Sequence, residues 1–217
     1  MILEVADIRI APGRQADFEA AIHLYTLPQQ WPAFASLAAR LGAAVGLLAE
    51  ESGGGSFDEA CSVPWLRLSR LYPRAELPLA CLATTVELGG QADTTAQQAE
   101  ANAAAILAFL AEQGFVEGEW PAAPEACCEG LPFEGTELLF APHPGVVSFL
   151  RKPGEWVEAG DEIFEVIDPV SDRVSTVCAG TSGVLFAIER LRYAQPGFWL
   201  AKVAGREALR HGRLLND

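Results

Sequence analysis

The alternation of apolar and polar residues divides the chain into two parts. Apolar residues at helical spacing predict one helix over 29–41 and another that begins at Thr95, which has capping-box spacing to Gln98. Continuous apolar runs predict buried strands over 43–49 and 79–86. Further along, short β-branched and aromatic runs alternate with Pro-Gly and Ala-Gly turns. The pattern therefore predicts an α/β part followed by an all-β part.

Glu87 comes directly after the second apolar run and before Leu88-Gly89-Gly90. A long apolar run is typical of a strand buried in a parallel sheet, and open α/β sheets bind ligands at the carboxyl ends of such strands. A carboxylate in that place is a candidate general base. The alternative is structural, because an isolated glutamate often caps a strand or pairs with a surface arginine.

The all-β part contains an internal repeat. Residues 145–147 recur as 183–185, and 160–163 recur as 197–200 at nearly the same offset. Two similar β units predict a barrel-sandwich related to the biotinyl/lipoyl hammerhead. Carrier proteins of that architecture display a modifiable lysine between the two halves. The corresponding segment here contains Arg173 and no lysine, so we expect a structural domain rather than a carrier.

Three segments, 50–60, 85–90 and 183–197, carry a resemblance to a known family. From about Tyr25 to Arg206 the chain resembles the C-terminal part of the succinylglutamate desuccinylase/aspartoacylase family, zinc-dependent hydrolases of N-acyl amino acids. The middle segment matches the short motif around the family's catalytic glutamate, which implies that role for Glu87. The resemblance implies a partial carboxypeptidase-like α/β sandwich with an appended β domain. It also implies a small acyl-amino-acid substrate.

The zinc ligands that the family uses are missing from this sequence. The family holds zinc with a His-x-x-Glu pair and a further histidine, whereas none of His23, His143 and His211 has a glutamate three residues later. Catalytic zinc needs three protein ligands. We therefore expect a truncated or chimeric form that binds no zinc, with His23 as a weak metal candidate. The alternative function is a non-catalytic structural or interaction module.

The first 22 residues have a different pattern from the rest. Residues 1–10 alternate as a strand does, and 15–22 have the apolar spacing of a helix. This segment resembles the opening strand and helix of the antibiotic biosynthesis monooxygenase family, which are small ferredoxin-like dimers. The resemblance covers one strand and one helix, and it implies a monooxygenase-like dimer as a remote alternative. A splice near Ile22-His23 is the simplest explanation of the junction.

These observations predict a five-part organisation of the chain. The predicted parts are a monooxygenase-like start (1–22), the second half of the α/β catalytic domain (23–117), a linker (118–134), the β barrel-sandwich (135–207) and a tail (208–217). A half domain leaves a strand such as 79–86 without its neighbours, and unpaired strand edges favour association. We therefore expect a homo-oligomer.

Charge and composition narrow the class of partner. The net charge of −14 argues against a nucleic-acid or anionic membrane partner, because phosphate groups would be repelled. No signal peptide or membrane-length apolar run is present, and the five cysteines lack metal-type spacing, which together predict a cytoplasmic protein.

An acyl amino acid carries a carboxylate, so the site that binds it needs cationic side chains. Arg67 and Arg70 are candidates, although an amphipathic stretch also explains them. Tyr193 is a candidate by family resemblance, or else a packed β-domain residue.

Overall fold

The computed structural model describes residues 18–53, 56–79, 81–90, 93, 95–125 and 128–211. The helices are α1 (Trp31–Leu41), α2 (Phe57–Leu71) and α3 (Ala96–Glu112), with single 3-10 turns at Pro28–Gln30, Pro73–Ala75 and Phe133–Gly135. The first five strands are β1 (Phe18–Ala20), β2 (His23–Thr26), β3 (Val45–Leu48), β4 (Thr84–Glu87) and β5 (Gly130–Pro132). The remaining strands are β6 (Thr136–Phe140), β7 (Gly145–Phe149), β8 (Trp156–Val157), β9 (Glu162–Asp168), β10 (Arg173–Cys178), β11 (Gly183–Glu189), β12 (Tyr193–Ala194) and β13 (Trp199–Gly205).

The α/β part is built on one four-stranded sheet with the order β4-β2-β3-β5. Strands β2, β3 and β5 are parallel, and β4 runs antiparallel to β2. The prediction that Glu87 ends a strand of a parallel sheet is therefore wrong. The reason lies after α2, where an extended segment returns the chain to the carboxyl end of β2 before β4 begins, so Thr84 pairs with Thr26.

Helices α1 and α3 cover one face of this sheet, as their apolar spacing predicted. The shared core contains Leu24, Phe34, Leu37, Ala38, Leu41, Ala105 and Phe109. Helix α1 ends at Gly42 in the left-handed conformation (φ 66°), and the Thr95 hydroxyl accepts the N–H of Gln98 at 3.2 Å at the start of α3. The predicted Thr95 cap and both helices are confirmed.

The all-β part consists of two antiparallel sheets packed face to face. One has the order β1-β11-β13-β6 with β8 added to β11, and the other has the order β10-β9-β7-β12. Their core includes Ile163, Phe164, Val166, Leu185, Leu200 and Val203. The mixed α/β and β class is confirmed. Neither sheet closes into a barrel within the described residues, and the finer barrel-sandwich description stays a prediction.

Two short strands lie where the sequence indicated other structure. Residues Phe18–Ala20 pair antiparallel with Glu189–Ala187 of β11, so the predicted helix over 15–22 is wrong there, because this backbone completes a sheet edge. The predicted strand over 1–10 lies outside the described residues. Residues Gly130–Pro132, placed in the linker by sequence, pair in parallel with β3. The α/β sheet thus gains its fourth strand from the connection to the β part.

Strand β4 lies at the edge of its sheet, and self-association through such an edge stays a prediction. No helix in the described part of the chain is long and apolar enough to cross a membrane.

Candidate functional site

A cavity of about 200 Å³ lies on the face of the α/β sheet opposite α1 and α3. Strands β2 and β4 form its floor, the first turn of α2 forms one wall, and the 3-10 turn after β5 closes it. Its walls carry the carboxyl groups of Asp58, Glu59 and Glu87, the hydroxyls of Tyr25 and Thr85, and the ring of Phe133. Acidic and aromatic groups therefore dominate its chemistry.

Strand alternation brings Glu87 into this cavity. Thr85 and Glu87 lie on one face of β4, with Tyr25 and His23 as their cross-strand partners on β2. Glu87 thus reaches the site from a sheet face and not from the crevice at a strand end that the sequence predicted. Glu87 is exposed as a whole residue, but desolvation of its carboxyl by the neighbouring protein atoms raises the pKa of that group. The positive charge of Lys202 opposes the rise.

Asp58 and Glu59 form the acidic wall at the start of α2. Both are buried, with 5% and 7% exposure. Asp58 accepts a hydrogen bond from the Thr85 hydroxyl at 3.1 Å, and Glu59 accepts the N–H of Ser52. Burial raises the pKa of Asp58, while hydrogen bonds from Ser56 and Thr85 oppose the rise. The sequence analysis missed both residues. Two adjacent acidic residues in the first turn of a helix, where negative charge is favoured, were the signal that could have identified them.

His23 and Tyr25 form a hydrogen-bonded pair beside the cavity. His23 Nδ1–H donates to the Ala21 carbonyl at 2.8 Å, so Nε2 is the acceptor for the Tyr25 hydroxyl at 3.2 Å. Burial lowers the pKa of His23 to about 4. The pKa of Tyr25 is raised by burial and by the negative charges of Glu87 and Asp58. The imidazole is therefore neutral at pH 7 with both nitrogens engaged.

The residues of this site do not fit a zinc ion. Within the described residues, no group of three His, Cys, Asp or Glu side chains could hold a metal. A histidine binds zinc through a free ring nitrogen, and both nitrogens of His23 are already hydrogen-bonded. His143 lies in the β part, where it donates to the Pro144 carbonyl and contacts the Ser175 hydroxyl at 3.0 Å.

The structure places the other predicted site residues away from the cavity walls. On α2, Arg67 pairs with Glu51 at 2.7 Å and Arg70 pairs with Glu50 at 2.6 Å. Tyr193 lies in β12 at the edge of the second β sheet, 56% exposed. None of the three is among the described residues that line the Glu87 cavity.

No pattern in the sequence singled out Arg210. It belongs to the predicted tail, but the Arg210 backbone N–H donates to the Glu134 carbonyl at 3.1 Å and so returns the chain to the cavity region. Its guanidinium lies over the Phe133 ring, 5.6 Å from the centroid, and its charge acts to lower the pKa of Tyr25. Its Nε atom is buried and has no hydrogen-bond partner among the described residues.

Several solved structures share this architecture. A protein described as a succinylglutamate desuccinylase/aspartoacylase family member from Shewanella amazonensis SB2B is 26% identical, with a TM-score of 0.76. The match covers 86% of this chain and 51% of that chain. The chain is therefore similar in structure to proteins of the succinylglutamate desuccinylase/aspartoacylase family. It spans about half the length of the solved structures that it matches.

Two further solved structures with lower identity share the fold. A succinylglutamate desuccinylase/aspartoacylase from Shewanella frigidimarina NCIMB 400 is 21% identical with a TM-score of 0.75, covering 86% of this chain and 50% of that chain. The ectoine utilization protein EutE (DoeB) from Ruegeria pomeroyi is 15% identical with a TM-score of 0.62, covering 87% and 56%. No family model and no curated protein matches the chain. Nothing in these comparisons supports the monooxygenase-like segment.

The buried His23 predicts how stability depends on pH. Its pKa is about 4 in the folded chain and about 6.5 when exposed, so the unfolded chain binds the proton first as the pH falls. Stability is therefore full above pH 6.5 and is lost between pH 6.5 and 4, by about 3 kcal/mol. The raised carboxyl pKa values of Asp58 and Glu87 act in the opposite direction.

Urea unfolding of the wild type and His23→Gln at a series of pH values isolates the histidine contribution. The difference between the two free energies of unfolding should shrink as the pH falls through this window. His211→Gln, at an exposed position, is the control and should give a constant difference. A pH-independent difference for His23→Gln would show that the imidazole is not buried as a neutral group.

Proposed function

We propose that the cavity around Glu87 binds a small polar ligand without a zinc ion, on the scaffold of the succinylglutamate desuccinylase/aspartoacylase family. The observation that carries the proposal is the site itself. Three carboxyl groups line one cavity, while the neighbouring imidazole of His23 is buried, neutral and fully hydrogen-bonded. Convergent polar groups in a concave pocket are the usual mark of a ligand site.

Hydrolysis of an N-acyl amino acid is the second candidate. It is favoured by the names of the similar structures and by the position of Glu87, whose carboxyl has a raised pKa within a cavity. In the family, zinc supplies Lewis-acid chemistry at the amide carbonyl. The described residues offer no ligand set for that ion, so the geometry supports binding better than hydrolysis.

The proposal predicts that the purified chain carries no stoichiometric zinc. The expected zinc content by inductively coupled plasma mass spectrometry is well below one ion per chain, before and after incubation with zinc and desalting. His143→Ala and His23→Ala form a matched pair of variants, since both remove a buried imidazole. One zinc per wild-type chain that is lost in His23→Ala and kept in His143→Ala would overturn the proposal and restore the hydrolase.

A further inference from the structure

We propose that two copies of this chain associate through the open edge of β4, which joins their α/β sheets into one eight-stranded sheet and packs the two α2 helices across a two-fold axis. The proposal joins two separate observations on one surface, an unpaired strand edge and an exposed apolar side of the helix above it. It goes beyond the ligand cavity and does not depend on what that cavity binds.

Strand β4 has a free edge among the described residues. In the order β4-β2-β3-β5 it is the outermost strand and pairs only with β2. Three of its four residues, Thr84, Thr85 and Val86, are β-branched, which favours strand pairing. Natural proteins usually protect such an edge with lysine, proline or a bulge, and β4 has none of these. Its outward N–H and C=O groups can therefore pair with another strand.

Helix α2 lies over this edge and runs antiparallel to the segment that leads into β4. Near the start of the helix, Asp58 accepts a hydrogen bond from the Thr85 hydroxyl at 3.1 Å. Near its end, the Ser69 hydroxyl donates to the Leu77 carbonyl at 3.0 Å. The helix therefore follows the outermost strand of the sheet for most of its length.

One side of α2 faces the middle of the sheet, and the other faces the open edge. Arg67 and Arg70 form ion pairs with the two glutamates that follow β3, so their side lies towards the inner strands. The opposite side, which we call the edge side, is uncharged and consists of Cys61, Pro64, Trp65, Leu68 and Tyr72. Leu68 is 39% exposed and Tyr72 is 60% exposed. Contiguous exposed apolar surface is typical of an interaction site.

The spacing of strands and helices fits the two-fold arrangement. Helix α2 contacts both β4 and β2, so its axis lies about half a strand spacing inside β4. Neighbouring strands are about 4.8 Å apart, so joining the two β4 edges places the two helix axes about two strand spacings, or roughly 10 Å, apart. Packed helices lie about 8–10 Å apart. The two edge sides would therefore meet directly above the joined strands.

A second copy also fits the surface in register and charge. An antiparallel pair centred on Thr85 places Thr84 opposite Val86, and cross-strand pairs of β-branched residues are favourable. Glu87, the one charged residue of β4, then lies opposite Ala83, so the two Glu87 carboxylates do not face each other. Two chains of net charge −14 repel each other, and an uncharged face is where that repulsion is weakest.

The dimer would also change the surroundings of the cavity. Thr85 and Glu87 line the cavity from the outermost strand of the sheet. The second copy would therefore border the cavity on the side of β4 where the described part of this chain has no further strand.

The test is analytical ultracentrifugation of the full chain between about 1 and 100 µM, a range in which a micromolar dimer dissociates measurably. Leu68→Glu and Tyr72→Glu should each raise the Kd of the dimer about a hundredfold, because a two-fold interface carries each substitution twice and each copy costs about tenfold. Val170→Glu is the matched control, since it adds the same charge at a 92% exposed position of the β9–β10 turn. It should leave the Kd unchanged. Circular dichroism verifies that each variant is folded.

Hydrogen exchange of peptides that span residues 79–90 reports on the strand edge itself. Their protection should rise with the concentration of the wild type and of Val170→Glu, and should stay at its low-concentration level in Leu68→Glu. A wild-type chain that remains monomeric at about 100 µM would overturn the proposal. So would a dimer that both α2 variants leave intact, or one that forms without added protection of residues 79–90.

Discussion

Replacing Phe186 by alanine is expected to lower the free energy of unfolding by about 3–5 kcal/mol. Phe186 is 1% exposed and projects from β11 into the core between the two parts of the chain. There it packs with Val45, Leu47 and Leu131 of the α/β sheet, and its ring lies 5.0 Å from the His23 ring. Removing the ring leaves a cavity in the hydrophobic cluster that joins the α/β sheet to strand β11.

Urea unfolding followed by circular dichroism measures this loss. Val170→Ala is the control, because Val170 is 92% exposed at the β9–β10 turn, and its replacement should change stability by less than about 0.5 kcal/mol. A loss below about 1 kcal/mol for Phe186→Ala would mean that the α/β sheet and β11 are not packed against each other as described. The placement of Phe133 in the wall of the Glu87 cavity would then lose its support.

Replacing Gln30 by alanine is expected to cost about 4 kcal/mol, because it leaves backbone groups without partners. Gln30 is 2% exposed at the start of α1. Its Nε2 donates to the Cys81 carbonyl at 2.6 Å, and its Oε1 accepts the N–H of Ala83 at 3.3 Å. These bonds fix the extended segment that leads into β4, so the substitution should also disorder the strand that carries Glu87.

Thermal and urea unfolding measure the stability, and hydrogen exchange of the β4 amides reports the local effect. Gln29→Ala is the matched control, since the neighbouring glutamine is exposed and its side chain donates to Glu50 at the surface. It should cost less than about 0.5 kcal/mol. Comparable losses in the two variants would contradict the role assigned to Gln30.

The sequence predicted those elements whose pattern is local. Helix α1 shows helical spacing and ends at Gly42, and α3 begins at a threonine cap, so both could be placed from the sequence. Glu87 could be singled out because it follows an apolar run beside two glycines. In each case the deciding interactions lie within a few residues of one another along the chain.

The remaining features depend on long-range contacts that leave no local pattern. The direction of β4 follows from bonds between Gln30 and residues more than fifty positions later. Strand β5 consists of three residues in a stretch whose composition is that of a linker. It forms through parallel pairing with the edge of β3, which its own sequence does not indicate. Arg210 reaches the cavity region only because the tail bonds to Glu134. Arg67 and Arg70 were predicted to bind a substrate carboxylate, but each forms an ion pair with a glutamate of this chain instead.

The central claim is that the site works without zinc, and a crystal structure of the chain grown with millimolar zinc tests it most directly. An anomalous difference map at the zinc absorption edge should show no peak within bonding distance of His23, Asp58, Glu59 or Glu87. His23 Nε2 should still accept the Tyr25 hydroxyl. A peak about 2.0–2.1 Å from His23 Nε2, with the tyrosine displaced and a cavity carboxylate as a second ligand, would contradict the account.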